Sequence, residues 1–188
     1  MKPPGVFVAI VGPSGAGKDS VIRGLSERLT ARDGVLIARR VITRPSDAYE
    51  DHDTLDEAAF ADAEAAGRFA LSWSAHGLRY GVPIAIDGAI DAGEIVVCNV
   101  SRKVVATVRR RYARSRVVLV TARPEILAAR LAARGREGTE GRRERLERAG
   151  ASEAALEPDV VLDNNGVLST TVERLLAQIR SWRVRFSE

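Results

Sequence analysis

Cysteine, lysine, histidine and aromatic residues are all scarce in this sequence, and each scarcity removes a class of protein. Cys98 is the single cysteine, so neither an intrachain disulfide nor a zinc centre with several thiolates can form. Its setting in Ile95-Val96-Val97-Cys98 is that of a buried strand thiol. No apolar run approaches the roughly 20 residues that a membrane span requires. The run Val6–Val11 follows Lys2 but is too short for a signal-peptide core, so a cytoplasmic protein with no membrane partner is expected. Aromatic residues make up 5% of the chain, no nucleic-acid-binding motif occurs, and the arginines are spread along it. The basic pI of about 9.7 therefore implies no nucleic-acid partner.

Arginine is what the sequence has in excess. Of 29 basic residues all but Lys2, Lys18 and Lys103 are arginines, and the net charge is +4. A guanidinium fork meets phosphate oxygens bidentately, which makes phosphate recognition one reading; codon bias is the other, since alanine is abundant too. Only arginines inside a motif carry weight. With 188 residues, 45% of them hydrophobic and 29% charged, the chain fits one soluble domain with a real core.

Apolar runs of strand length alternate with helical patterns, the signature of βαβ units around a mostly parallel sheet. Strands are expected at Val6–Val11, Gly34–Ala38, Ile95–Val100, Arg116–Val120 and Val160–Leu162. Helices are expected at Lys18–Leu29, Asp56–Ala66, Ile84–Ala92, Lys103–Tyr112, Pro124–Arg134 and Leu168–Arg183, with Pro124 in a first turn and Gly67 and Gly93 at helix ends. Two stretches break the alternation. Thr43 to Asp53 is polar, and Gly135 to Arg145 is rich in glycine and arginine; beside a phosphate loop, such segments suit a substrate flap and a closing lid. Between them, Phe69–Trp73 and Gly77–Tyr80 read as short strands of an inserted substrate region.

The strongest local signal is Gly12-Pro13-Ser14-Gly15-Ala16-Gly17-Lys18, which follows one expected strand and opens one expected helix. Both the spacing and the context of a Walker A loop are met. Its glycines let backbone N–H groups turn onto phosphate oxygens, the helix N-terminus adds partial positive charge, and Lys18 reaches the β- and γ-phosphates of ATP. One position departs from the pattern: the Ser or Thr that normally ligates Mg²⁺ is replaced by Asp19, with Ser20 next. A carboxylate can hold Mg²⁺, yet it also places negative charge near ATP that metal or arginine must offset. Asp19 and Ser20 are the metal candidates, and a loop that no longer binds nucleotide is the alternative.

With the loop followed by Thr43-Arg44-Pro45, Phe69, His76-Gly77, Tyr80-Gly81 and an arginine-rich lid, the chain resembles the guanylate kinase superfamily from Val6 to about Leu176. The combination of Gly17-Lys18-Asp19-Ser20, Glu50-Asp51-His52 and Asn99-Val100-Ser101-Arg102 is similar to the ribose 1,5-bisphosphate phosphokinase family, which makes phosphoribosyl diphosphate in phosphonate breakdown. The resemblance implies an α/β P-loop NTPase, a three-layer αβα domain over 1–188, with a core at 5–42 and 84–183. It also implies an inserted flap at about 43–82 and a lid at about 135–147. Leu71 falls where guanylate kinases carry a guanine-reading Glu. Val82 replaces a hydroxyl, and Asn99 and Ser101 replace two acids. A site that has lost such hydrogen-bonding groups takes a different acceptor.

By the same resemblance Arg44 and Tyr80 hold the acceptor phosphate and His52 stands for a second tyrosine, while Arg40 and Arg79 either add positive charge or form a solvated face. Asn99 and Ser101 complete the acceptor candidates. Glu50 and Asp51 orient a ribose hydroxyl or a metal-bound water, or are flap surface, and His76 is read as a packing or hydrogen-bonding residue at a turn. In the lid, Arg134, Arg136 and Arg145 match arginines brought onto the transferring phosphoryl group, with Arg130 a weaker candidate on an ordinary helix face. Asn164 and Asn165 fall in the nucleotide region. The implied substrate is a small sugar phosphate with ATP and Mg²⁺, in a protein whose oligomeric state stays open, a homodimer included. A nucleoside monophosphate kinase, and a non-catalytic binding module of the same fold, remain as alternatives.

Overall fold

The computed structural model describes residues 5–46, 51–133 and 156–185. Strands β1 (Val6–Val11), β2 (Val35–Ile37), β7 (Ile95–Asn99), β8 (Ser115–Thr121) and β9 (Val160–Asp163) form one sheet in the order β2-β7-β1-β8-β9. Every pairing in it is parallel. All six residues of β1 are buried, as a strand covered on both faces requires. Phe7, Ala9 and Val11 point into one core layer, with Ile86 and Ile90 of α3 (Ile86–Asp91) and Val105 and Val108 of α4 (Val105–Arg111). Val6, Val8 and Ile10 point into the other. That layer holds Val21 and Leu25 of α1 (Lys18–Ser26), Leu127 of α5 (Pro124–Ala133), and Leu175 and Ile179 of the last helix, α6 (Leu168–Arg185). The result is a three-layer αβα body with the carboxyl ends of β1 and β7 opening side by side, where open α/β sheets bind ligands.

A second sheet, of order β4-β3-β6-β5, stands over that edge. It consists of β3 (Val41–Ile42), β4 (Asp53–Thr54), β5 (Phe69–Ala75) and β6 (Leu78–Pro83), with α2 (Glu57–Ala65) against it. The turn between β5 and β6 is His76-Gly77, both at positive φ (55° and 72°), the geometry of a two-residue hairpin whose twist matches its strands. Phe69 lies across Gly81, where an added Cβ would sit 2.6 Å from the ring; the ring then stacks on Phe60 of α2 at 4.6 Å between centroids.

The expected elements recur with edges moved by a few residues. The polar segment expected as part of a substrate flap, Thr43 to Asp53, ends in β4, whose two residues pair in parallel with Val41 and Ile42. The helix expected from Lys103 begins earlier, as a 3₁₀ turn over Arg102–Val104, because the Ser101 hydroxyl caps it by accepting from the Lys103 backbone N–H.

Candidate active site

The loop between β1 and α1 wraps round the Lys18 ammonium, which donates to the carbonyls of Gly12 and Pro13, each at 3.0 Å. Gly17 has φ 88°, and a Cβ on it would come within 2.5 Å of the Asn164 side-chain nitrogen, so only glycine fits there. Asn164 is buried behind the loop. Its Nδ2 donates to the Ala16 carbonyl at 2.8 Å while its Oδ1 accepts from the Thr171 hydroxyl at 3.1 Å. Arg130 adds a second brace, donating to the Asn164 carbonyl at 2.9 Å and the Ala16 carbonyl at 3.4 Å.

In front of the loop lies a cleft of about 410 Å³. Its donor wall is Gly12, Ser14, Gly15, Gly17, Lys18 and Asp19; its opposite wall is the second sheet. Side chains alternate across strands, so one face of that sheet carries Arg40, Arg44, Trp73, Ala75, Leu78 and Tyr80 into the cleft. Trp73 and Tyr80 are cross-strand partners whose rings stack nearly parallel (3°) at 5.3 Å. Leu71 and Val82, the next pair along the same face, are buried in the core and give that end of the wall an apolar floor. Asn99, Ser101 and Arg102 close the cleft from the end of β7.

Among the described residues four cations thus line the cleft, Lys18, Arg40, Arg44 and Arg102, against one carboxylate, Asp19. That carboxylate is already engaged: its Oδ1 accepts from Asn99 Nδ2 at 2.6 Å and from the Arg40 guanidinium at 3.4 Å. Arg40 supplies the offset that an acidic residue beside ATP requires. Cys98, one residue before Asn99, is fully buried, and burial pushes its thiol up to about 12, with Arg40 opposing and Asp19 adding to the shift. It is no nucleophile at neutral pH.

Of the residues expected at the acceptor, Arg40, Arg44, Tyr80, Asn99 and Ser101 line the cleft, while two stand elsewhere. Arg79 points the other way, because it alternates with Tyr80; it pairs with Glu64 of α2 and lies over the Phe60 ring at 4.6 Å. It holds the helix to the sheet and does not face the cleft. His52 is 1% exposed, with Nδ1 3.1 Å from the Asp53 carbonyl and a buried Nε2 that has no hydrogen-bond partner among the described residues. The hydrogen bond from the Asp53 N–H to the Arg40 carbonyl sets β4 beside β3, and His52 is not among the residues that line the cleft.

On the nucleotide side, Asp19 faces the cleft and Ser20, one helix position on, does not. Asn164 acts on the loop from behind. Asn165 accepts from the Arg123 backbone N–H at 2.6 Å. Arg134, Arg136, Arg145 and Glu50 lie outside the described residues. Asp51 forms an exposed ion pair with Arg39 at 3.0 Å. Five cleft residues were not singled out for the site from sequence, Trp73, Ala75, Leu78, Val100 and Arg102, and His76 at the hairpin tip was assigned only a packing or hydrogen-bonding role at a turn. The alternation through Tyr80 and its hairpin partner was the signal that would have found Trp73 and Leu78.

Among the described residues no group of three or more His, Cys, Asp or Glu side chains converges as a metal cage. No helix among them is long and apolar enough to cross a membrane.

Comparison with known proteins agrees with this geometry. Residues 8–154 match the model of a family described as an AAA domain. The chain is 47% identical over 178 residues to a ribose 1,5-bisphosphate phosphokinase of Methylobacterium radiotolerans, covering 95% of this chain and 99% of that protein. It is 44% identical over 184 residues to one from Brucella melitensis, covering 97% and 96%. Among solved structures, guanylate kinase from Anaplasma phagocytophilum superposes with a TM-score of 0.73, covering 97% of this chain and 88% of that one at 20% identity, a likeness of fold.

Proposed function

The chain belongs to the ribose 1,5-bisphosphate phosphokinase family, and from that premise we propose that it transfers the γ-phosphoryl group of ATP to the 1-phosphate of ribose 1,5-bisphosphate, giving 5-phosphoribosyl 1-diphosphate. The observation that carries this reading is the charge of the cleft: among the described residues four cations line it, and the one carboxylate there is tied to Asn99 and Arg40. An acceptor that is itself a phosphate brings an oxygen already ionised at neutral pH, so it requires no general base. It requires cations that screen it from the phosphates of ATP.

The roles follow from position. Lys18, cradled by the Gly12 and Pro13 carbonyls, holds the β- and γ-phosphates, and the loop N–H groups hold the rest of the chain of phosphates. Arg44 and Tyr80 bind an acceptor phosphate from the second sheet, with Asn99, Ser101 and Arg102 beside them. The flap at about 43–82 is the acceptor-binding part, apart from its outward Arg79 and buried His52. Arg134, Arg136 and Arg145 are proposed to close over the transferring group and exclude water.

Mg²⁺ fits the donor wall through Asp19, whose Oδ1 is oriented by Asn99 and Arg40 and whose other oxygen carries no hydrogen bond among the described residues. Bound there with ATP, the ion would neutralise charge on the β- and γ-oxygens. Ser20 is the poorer ligand, since it does not face the cleft.

The test is phosphoryl transfer from radiolabelled ATP, offered ribose 1,5-bisphosphate, GMP and AMP separately. Label is expected in phosphoribosyl diphosphate alone. Transfer to GMP or AMP would mean that a base is read by groups other than Leu71 and Val82, and would overturn the acceptor assignment.

A further inference from the structure

Arg40 is the one buried cation among the four described in the cleft, its side chain only 9% exposed. A guanidinium so far from water is costly unless a negative charge stands beside it. Asp19 supplies that charge from the donor wall, while Arg40 itself belongs to the acceptor wall and lies 6.0 Å over the ring of Tyr80. The two contacts to Asp19 Oδ1 are unequal. Asn99 donates at 2.6 Å, a tight anchor, and Arg40 at 3.4 Å, the far end of the hydrogen-bond range. The Arg40 contact is the looser of the two, and it joins a residue suited to a divalent cation with one suited to a phosphate.

We propose that Arg40 is a shared cation: paired with Asp19 in the empty protein, and released to a phosphate of the acceptor when the cation–nucleotide complex claims Asp19. This rests on the functional reading given above. Without nucleotide, an incoming phosphate must compete with Asp19 for Arg40. Once Asp19 is drawn to the nucleotide's divalent ion, Arg40 is left buried with less counter-charge, and an anionic acceptor restores it. Donor binding thereby builds the acceptor's site, and by linkage the acceptor tightens the nucleotide to the same degree. An acidic residue after the loop lysine, in place of a hydroxyl, is what makes this exchange available: a neutral hydroxyl carries no charge to share between Arg40 and a divalent ion.

Isothermal titration of ribose 1,5-bisphosphate into the protein, with and without Mg²⁺ and a non-hydrolysable ATP analogue, tests this by affinity and not by turnover. In the wild type the analogue should tighten the acceptor about tenfold, within the ordinary range of coupling between sites. In Asp19→Asn, which keeps shape and removes charge, the acceptor alone should bind about tenfold tighter than to the wild type alone, and the analogue should add less than about twofold. Asp19→Ser should behave likewise and serves if the first variant does not fold. Arg40→Gln should bind the acceptor weakly in both states, with no coupling. Equal acceptor affinity in the two wild-type states, or an Asp19→Asn protein no tighter than wild type without nucleotide, would overturn the sharing of Arg40 while leaving the acceptor assignment intact. No binding of ribose 1,5-bisphosphate to the wild type in either state would overturn the acceptor assignment itself, and the proposal with it.

Discussion

The donor wall of the cleft is made of backbone and the acceptor wall of side chains. On the donor side, carbonyls of Gly12 and Pro13 receive Lys18, and the loop is fixed from behind by Asn164 and Arg130 gripping the Ala16 carbonyl. On the acceptor side, short strands place Arg40, Arg44, Trp73 and Tyr80 on one face by simple alternation, and the intervening residue Arg79 on the other. A wall of backbone tolerates almost no change of residue and accepts any nucleoside triphosphate's phosphates. A wall of side chains keeps its fold through many substitutions while its chemistry changes with each. That is how one architecture, shared in outline with a guanylate kinase at 20% identity, presents a cationic cleft here.

The sharpest break of this contrast is at Lys18. Lys18→Ala should lower kcat/KM by about 10³, as loss of a preorganised electrostatic group does, while ribose 1,5-bisphosphate binding measured without nucleotide stays within about twofold. Next is Arg44→Ala on the opposite wall. It should raise the acceptor KM about 10- to 100-fold and the ATP KM less than about twofold, read from initial rates with each substrate varied; equal effects on both would remove Arg44 from the acceptor wall.

The brace behind the loop should respond more mildly, and on the donor side only. Asn164→Ala leaves the Ala16 carbonyl without its buried Asn164 donor and the Thr171 hydroxyl without the Asn164 acceptor. It should cost about 1–3 kcal/mol in urea unfolding and raise the ATP KM more than the acceptor KM. The smallest effect belongs to Arg79→Ala. Because that residue faces Glu64 and Phe60, the acceptor KM should move less than about twofold and stability by no more than about 1 kcal/mol. A large rise in acceptor KM there would mean that the two faces of the second sheet have been assigned the wrong way round.

The same contrast explains what the sequence made legible. The phosphate loop is seven consecutive residues with a fixed pattern of glycines, and the strand before it is uniformly apolar, so both were readable in place. The second sheet is not local. β3 and β4 are two residues each, too short for any periodic pattern, and they pair across a polar segment. Arg79 was read with Tyr80 because adjacent residues in a motif look alike in one dimension; the two-residue period of a strand sends them to opposite faces. His52 was read as a ligand by its place in a motif, whereas it is 1% exposed and does not line the cleft, a burial that no local pattern records. Asn164 was read as a nucleotide-site residue; it stands behind the phosphate loop with its side chain consumed by Ala16 and Thr171, a partnership 148 residues apart on one side that no local pattern records. The tie between Asp19 and Asn99, the most consequential contact in the cleft, joins positions 80 residues apart.

The account turns on the acceptor being a phosphate oxygen that needs screening and no base. ³¹P NMR of the product formed from ATP, Mg²⁺ and ribose 1,5-bisphosphate decides this most directly. The account predicts a coupled pair of diphosphate signals replacing the 1-phosphate resonance, with the 5-phosphate signal unchanged. A diphosphate at the 5-position, or a new phosphate ester on a ribose hydroxyl, would contradict it, the second because a hydroxyl acceptor calls for a general base and a phosphate acceptor does not.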